Sequence, residues 1–277
     1  MKSNIKKIAR LLLPKLYEYL AVKYVYLGDR KKRISIEEFK KNYPNTKIFE
    51  MIEQKNRKLY SQHNQDYLID ENFFKGKKDK FFCDIGGNHP LKINNTLYFE
   101  ELGWSGFAFE PLPHMTKQWT EYRKAKLFPI ALSDVEEDVA FTIIHGENDW
   151  EDMLSYVDST AMVNYEYKKE SIIVKTKLLK KILDSENITH VDYMSIDVEG
   201  HEINVLKGID FNKVRVNVIT IENSFGGAGD KRHYGDDKVR NILFQNNFIL
   251  WGRIIGLDDI FVHKDFLIPK INVECAE

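Results

Sequence analysis

Cysteine is nearly absent: Cys83 and Cys275 are the only two in 277 residues, which leaves no disulfide framework and no cysteine metal site to expect. With Cys83 inside a predicted buried strand, the reducing cytoplasm is the expected compartment. No apolar run approaches the ~20 residues of a membrane span. The N-terminal apolar stretch is short, is broken at Pro14 and Lys15, and precedes no small-residue cleavage pattern, so it does not read as a signal peptide. A strong net charge is missing too. The formal charge is −1, which argues against wrapping of nucleic acid or capture of a polyanion by the chain as a whole. None of the seven prolines forms an Asn/Asp-Pro-Pro-aromatic motif, and no glycines fall in the G-x-G-x-x-G dinucleotide spacing.

What is present is an ordinary globular balance, 43% hydrophobic and 30% charged, in a chain long enough to bury a full core. The charge is unevenly spread. Residues 1 to 33 carry ten Lys or Arg against Glu18 and Asp29, a net +8 that leaves −9 for the remainder. Ile5, Ile8, Leu11, Leu12, Leu16 and Leu20 recur at helical spacing there, predicting one or two basic amphipathic helices with a break near Pro14. Such helices either pack on the main domain with their lysines in water, or dock a protein partner or the inner face of an anionic membrane.

The richest stretch runs from Phe81 to Pro111. Phe81-Phe82-Cys83-Asp84-Ile85 reads as a buried strand, and Gly86-Gly87-Asn88 follows as a turn in which backbone N–H groups can approach a ligand without Cβ obstruction. Gly106-Phe107-Ala108-Phe109 is a second strand ending at Glu110, 26 residues after Asp84, where an acid accepts hydrogen bonds from ribose hydroxyls. Two further strands end in acids, Met194 to Asp197 and Val218 to Glu222. In an open parallel sheet, Asp84, Glu110, Asp197 and Glu222 collect at one rim, beyond the carboxyl ends of the strands. Four carboxylates repel phosphates. They suit a ligand with positive charge and a ribose diol, a description that fits S-adenosylmethionine.

These segments resemble the FkbM-type S-adenosylmethionine-dependent methyltransferases, over Ser61 to Lys264. The resemblance is carried by Ser61-Gln62-His63-Asn64-Gln65-Asp66, Asp84-Ile85-Gly86-Gly87-Asn88, Gly103-Trp104-Ser105-Gly106 before Glu110-Pro111, the Ser195-to-Glu202 run, Glu222-Asn223 and Asp258-Asp259-Ile260-Phe261-Val262. The Asp197-to-Glu202 run is the most specific. The resemblance implies an O-methyltransferase acting on a hydroxyl of a glycan or small molecule, here most readily a sugar of a surface glycan or its precursor. One departure stands out: the family turn continues Asn-Asp-Gly, whereas this chain has Asn88-His89-Pro90, and Pro90 lacks a backbone donor.

The expected fold is α/β: a Rossmann-like methyltransferase sheet over residues 81–277, mostly parallel with an antiparallel C-terminal strand, preceded by a helical N-terminal extension over 1–80. Strands are expected near 81–85, 105–109, 127–132, 139–144, 171–175, 191–197 and 215–222, with 247–253 and 258–263 as a closing antiparallel pair. His145 to Tyr167 reads as a substrate loop containing Trp150 and Tyr156, and Ser224 to Gly229 as a glycine flap before His233 and Tyr234.

Methyl transfer is an in-line displacement helped by alignment, and a sugar hydroxyl also needs a base or metal to take its proton. The expected catalytic residues are Asp197, Glu199 and His201, the histidine as base near neutral pH. Cofactor binding is expected from Asp84, Gly86, Asn88, Glu110, Ser133 and Asp134, the last two beside adenine. Asp197 and Glu222 end adjacent strands about 4.8 Å apart, and with Asn223 form a candidate Mg²⁺ site; the bland alternative has Asp197 capping a helix and Glu222 binding an amide. A nicotinamide-dependent oxidoreductase would share this sheet but would leave Asp197 and Glu199 idle. A noncatalytic protein that binds cofactor or a biosynthetic partner would share it too.

Overall fold

The computed structural model describes residues 36–49, 60–146, 151–157, 167–223, 235, 237–254 and 257–267. The basic segment 1–33, Trp150, the 224–229 flap, His233 and Tyr234 lie outside the described residues.

In chain order, α1 (Ile36–Asn42), β1 (Lys47–Phe49) and α2 (Gln65–Ile69) precede β2 (Phe81–Ile85), α3 (Leu97–Glu101), β3 (Ser105–Phe109), α4 (Pro113–Tyr122) and β4 (Lys126–Phe128). Then come β5 (Ala131–Leu132), β6 (Asp138–His145), β7 (Tyr156–Val157), β8 (Lys168–Lys177), α5 (Leu179–Ser185) and β9 (His190–Ile196). The chain continues through α6 (Glu202–Lys207), β10 (Arg215–Glu222), α7 (Asp237–Gln245), β11 (Phe248–Ile254), β12 (Asp258–His263) and α8 (Lys264–Leu267).

Eight strands form one sheet in the order β1-β11-β12-β10-β9-β2-β3-β4. Strands β4, β3, β2, β9 and β10 are mutually parallel, and β12 is antiparallel to both β10 and β11. This is the expected mostly parallel Rossmann-like sheet with an antiparallel C-terminal strand. The reversal at β12 follows from chain length, because only residues 255–257 join it to β11 and a parallel return needs a crossover of a dozen residues. Strands β2, β9 and β10 are largely apolar because helices cover both faces.

Period-two alternation sorts their side chains. Cys83, Ile85, Phe107, Met194, Ile196 and Ile221 face one core, while Phe82, Ala108, Tyr193 and Val218 face the other. Asp84 shares the Phe82 face, and so its carboxyl is directed by the pleat.

The structure departs from the sequence reading in three places. Lys47–Phe49, expected to be helical, is an edge strand parallel to β11, and Phe39 is fully buried in the core. The expected 127–132 strand is two short ones, Lys126–Phe128 in the main sheet and Ala131–Leu132 in a second sheet ordered β5-β8-β6-β7. Thirdly, the segment expected as a substrate loop contains the short turn Glu151–Leu154 and β7, which pairs with β6.

Behind the rim, Asp259 is completely buried and receives hydrogen bonds from Arg240, Arg253 and Asn223. The two guanidiniums hold its carboxyl below the usual range against the effect of burial. Removing one partner of a buried ion pair leaves a charge uncompensated, at a cost of about 3–5 kcal/mol. Asp259→Ala is therefore expected to lower the urea unfolding free energy by that amount, whereas exposed Asp265→Ala, which loses surface pairs with Arg215 and His263, is expected to change it by less than about 1 kcal/mol.

Candidate active site

Three hydrogen bonds align the rim. The Gly86 N–H donates to Phe109 O at 2.9 Å, the Asp197 N–H to Ile85 O at 2.9 Å and the Glu110 N–H to Phe128 O at 3.2 Å. Pairing thus runs one residue past the ends of β2, β3 and β9 and brings Gly86, Glu110 and Asp197 to one level. Gly86 sits at φ +80°, and a Cβ there would stand 1.7 Å from the Asp197 carbonyl oxygen. The turn needs glycine to let the two strand ends meet.

A groove crosses this level. Its apolar end is lined by Phe109, Ile130, Ala131, Leu132 and Phe141 beside Glu110 and His201. Its polar end is lined by Gln65, Asp84, Gly87, Asn95 and Ser195. Gly86, Asn88, Met153, Asp197 and Glu199 belong to both ends and mark the junction.

Each candidate cofactor residue has a defined place. Glu110 is buried, and its carboxylate accepts from the Asn88 N–H at 2.8 Å and the Leu112 N–H at 2.7 Å. Burial pushes its carboxyl up to about 7, against the pull of those two amides. Asn88 contributes backbone: its N–H reaches Glu110, its carbonyl accepts from Trp119 Nε1 at 2.7 Å, and its φ is +38°.

Asp84 is turned away from the junction toward α3 and α4. It accepts from Thr96 Oγ1 at 2.6 Å and Asn94 Nδ2 at 3.1 Å. Asn94 also reaches Gly87 O at 3.2 Å, and Arg123 donates to Pro90 O, Asn94 Oδ1 and Thr96 Oγ1, each at 3.0 Å. Asp84 therefore anchors the glycine turn through Asn94 while exposing one flank to the polar end of the groove. The His89-Pro90 departure is absorbed locally, because His89 Nδ1 accepts from the Leu91 and Lys92 N–H groups.

Ser133 and Asp134 do not line the groove. Ser133 Oγ lies 3.1 Å from His201 Nε2 and donates to Asp134 Oδ1 at 3.2 Å, while Asn204 Nδ2 donates to Asp134 Oδ1 at 3.0 Å. They stand behind the apolar end and hold His201. The sequence reading has them beside adenine; in the structure Ser133 is buried against His201.

Asp197, Glu199 and Glu222 are brought together, with carboxylate oxygens all within 4.8 Å of one another. Asn223 is not with them: its side-chain amide donates to Asp259 at 2.7 Å, so Glu199 takes the third place expected of it. Glu199 reaches inward from a left-handed backbone at φ +52°, followed by Gly200 at +101°. The turn is held by Glu202, whose Oε1 accepts from the Val198 and Gly200 N–H groups at 3.3 and 3.0 Å.

Burial first, then the charge of Glu222, pushes the Asp197 and Glu199 carboxyls well above the usual range. Burial also lifts Glu202 to about 7 and Asp258, which accepts from Gln65 Nε2 at 2.9 Å, to about 6. His201 faces the apolar end, and burial lowers its pKa. The proton-accepting groups nearest the junction are therefore carboxylates, and the histidine expected as base belongs to the other end of the groove.

Residues 84–250 match the Methyltransferase FkbM domain, more than half of the chain. The chain belongs to the FkbM methyltransferase family. Among solved structures, the crystal structure of a putative rRNA-methylase from Clostridium thermocellum is similar, with 10% identity, 75% of this chain and 97% of that chain covered, and a TM-score of 0.38. No curated protein matches. The family match begins at Asp84 and includes Gly86, Glu110, the Asp197-to-Glu202 run and Glu222, so most of the groove is built from the FkbM portion of the chain. Gln65 and Asp258, which reach the same rim, lie outside it.

Reading the sequence missed Asn94, Arg123, Met153 and Glu202 as site-building residues. The Asn94-Asn95-Thr96 run carried a usable signal, since Asn94 Oδ1 accepts from the Thr96 and Leu97 N–H groups as an Asx turn does. Arg123 and Met153 carried none, because they reach the site only through tertiary packing.

Proposed function

We propose that this FkbM methyltransferase uses S-adenosylmethionine and methylates a hydroxyl, most readily on a sugar of a surface glycan or its precursor. The observation that carries the reading is the carboxylate cluster Asp197, Glu199 and Glu222 at the junction of an apolar and a polar groove end. A pyrophosphate would be repelled there, whereas a sulfonium and an ammonium are attracted. The donor set fits the cofactor: Leu132 and Phe141 for a purine, Glu110 for a ribose diol, and the Asn95 and Ser195 end for an amino acid. When bound, S-adenosylmethionine supplies an electrophilic methyl carbon.

The chain's own contribution is threefold. Gly86 and Asn88 bring backbone against the cofactor's centre. The cluster offers counter-charge to it. Asp197 or Glu199 then accepts the acceptor's hydroxyl proton, a task suited to carboxyls whose pKa is raised by burial and by Glu222. The bound cation offsets the mutual repulsion of the carboxylates, so no divalent ion is required.

The test is to incubate the protein with methyl-labelled S-adenosylmethionine and a pool of nucleotide sugars, oligosaccharides and lipid-linked glycan precursors, with and without exhaustive chelation. Label in base-stable ethers, undiminished by chelation, is the expected result. Label confined to base-labile esters or to nucleic acid would refute the acceptor class. A rate lost on chelation and restored by Mg²⁺ would instead assign Asp197, Glu199 and Glu222 to a cation.

A further inference from the structure

Asp152 lines the apolar end of the groove and also a separate pocket of about 390 Å³. That is room for a small ligand, since such sites begin at roughly 300 Å³. The two spaces share a partition. Met153, next to Asp152, stands at the groove junction, and His89, next to the junction residue Asn88, stands in the pocket. Met115 and Ile144, both buried, give the pocket an apolar floor.

Its polar lining is opposite in character to that of the groove. Where the junction gathers carboxylates, the pocket gathers His89, Lys92, His114, Gln118 and His145. Three pieces of chain supply them: the loop after β2, one face of α4 through the i, i+4 pair His114 and Gln118, and the end of β6. His89 Nδ1 accepts from the Leu91 and Lys92 N–H groups at 3.0 and 3.1 Å. Main-chain amides can only donate, so the His89 ring proton is on Nε2, which is a donor. Asp152 is the one carboxylate among the described lining residues, and His114 Nε2 meets its Oδ2 at 2.7 Å. That bond draws the His114 ring toward its charged form. Glu170 of β8 meets His145 Nε2 at 3.0 Å in the same way. Each acid is thus matched by a histidine, and Lys92 adds an ammonium.

We propose that this pocket is an acceptor subsite that holds a phosphoryl group of the sugar to be methylated, while the sugar's hydroxyl turns to the carboxylates at the junction. The proposal rests on the methyltransferase reading above and narrows its acceptor to a phosphorylated sugar. A tetrahedral oxyanion accepts from several directions at once, which suits donors drawn from three pieces of chain. Lysine binds phosphate as a point charge, and the imidazole and amide donors add direction. The junction repels the same group. Charge therefore orients the acceptor, with its anion in the pocket and its hydroxyl at the cluster.

The experiment follows the histidine ring signals of the full chain by NMR during titration with glucose 1-phosphate, UDP-glucose, glucose and sulfate, first without and then with saturating S-adenosylhomocysteine. The two phosphorylated sugars are expected to shift His89, His114 and His145, with glucose and sulfate binding more weakly, and to bind as well when S-adenosylhomocysteine is present. The stronger of the two responses tells a free sugar phosphate from a nucleotide-linked sugar. Lys92 is exposed, and Lys92→Gln is expected to lower affinity for both by about tenfold. His145→Gln, also at an exposed side chain, should weaken them as well, and neither substitution should alter binding of S-adenosylhomocysteine. Unshifted histidines, a response to sulfate as strong as that to the sugars (an adventitious ion only), affinity indifferent to Lys92→Gln, or displacement by S-adenosylhomocysteine would each overturn the subsite and leave the cofactor reading intact. If S-adenosylhomocysteine itself fails to bind, the cofactor reading falls instead, whatever the histidines do.

Discussion

Gly86→Ala is expected to abolish cofactor binding, lowering affinity at least about 100-fold, and to destabilise the fold by about 3 kcal/mol or more. Two effects add. The backbone sits at φ +80°, and the new Cβ would stand 1.7 Å from the Asp197 carbonyl oxygen and 2.8 Å from its carbon. The obstacle is main chain at the end of β9, so no rotamer change relieves it; the ends of β2 and β9 must part, which moves Asp197 away from Glu222. Gly103→Ala is the control. Gly103 has a similarly positive φ of +96° but nothing within 4 Å of its would-be Cβ, so only the backbone strain of about 1–2 kcal/mol is expected, with titration by the cofactor unaltered. Equal effects of the two substitutions in urea unfolding and calorimetry would contradict the close-approach argument.

Asp197→Asn is expected to lower kcat by about 10²- to 10⁴-fold while raising the melting temperature of the free protein at pH 7.5. The opposite signs share one cause. Asp197 is lifted by burial and then by the charges of Glu222, Asp258 and Asp84, and Glu199 is lifted by burial, Glu222 and Asp197; taking away the Asp197 charge relieves its neighbours.

The same cluster sets a pH dependence. A carboxyl whose native pKa exceeds its unfolded value binds its proton more tightly when folded, so stability falls as pH rises from the unfolded pKa to the native one. Asp258 rises to about 6, and Glu110 and Glu202 to about 7. Native stability is therefore expected to fall between pH 5 and pH 7. His63, His201 and His263, lowered by burial, work the other way below their unfolded value near 6.5. They oppose six raised carboxyls: Asp84, Glu110, Asp197, Glu199, Glu202 and Asp258. Asp259, Asp192 and Asp134, whose pKa values are lowered, matter only in stronger acid. Thermal melts across this range should show a falling midpoint for the wild type and a flatter curve for Asp197→Asn. A wild-type midpoint that climbs with pH, or a variant with full turnover, would contradict this account of the cluster.

The sheet was largely legible because its signals are local. Phe81 to Ile85, Ser105 to Phe109 and Arg215 to Glu222 are apolar runs bounded by turn residues, and the short link before Asp258 announced the antiparallel return. Lys47–Phe49 was not legible: three residues carry no period, and only the free edge of β11 makes them a strand. At the site, Asp197 and Glu222 follow the paired Ile196 and Ile221 at the ends of adjacent strands. Asn223 and Glu199 exchanged places because Arg240 and Arg253 draw Asp259, and Asn223 with it, to the far side. His201 reads from sequence as a base beside the reaction centre, and only the orientation of Ser133 shows which end of the groove it serves.

The most direct measurement is calorimetric titration of the purified protein with S-adenosylmethionine, S-adenosylhomocysteine and NAD⁺, repeated with Glu110→Ala. Binding of the first two but not the third, weakened in Glu110→Ala, is the result expected of a groove with Glu110 at its ribose and carboxylates at its centre. Selective binding of NAD⁺, or cofactor affinity indifferent to Glu110, would contradict it.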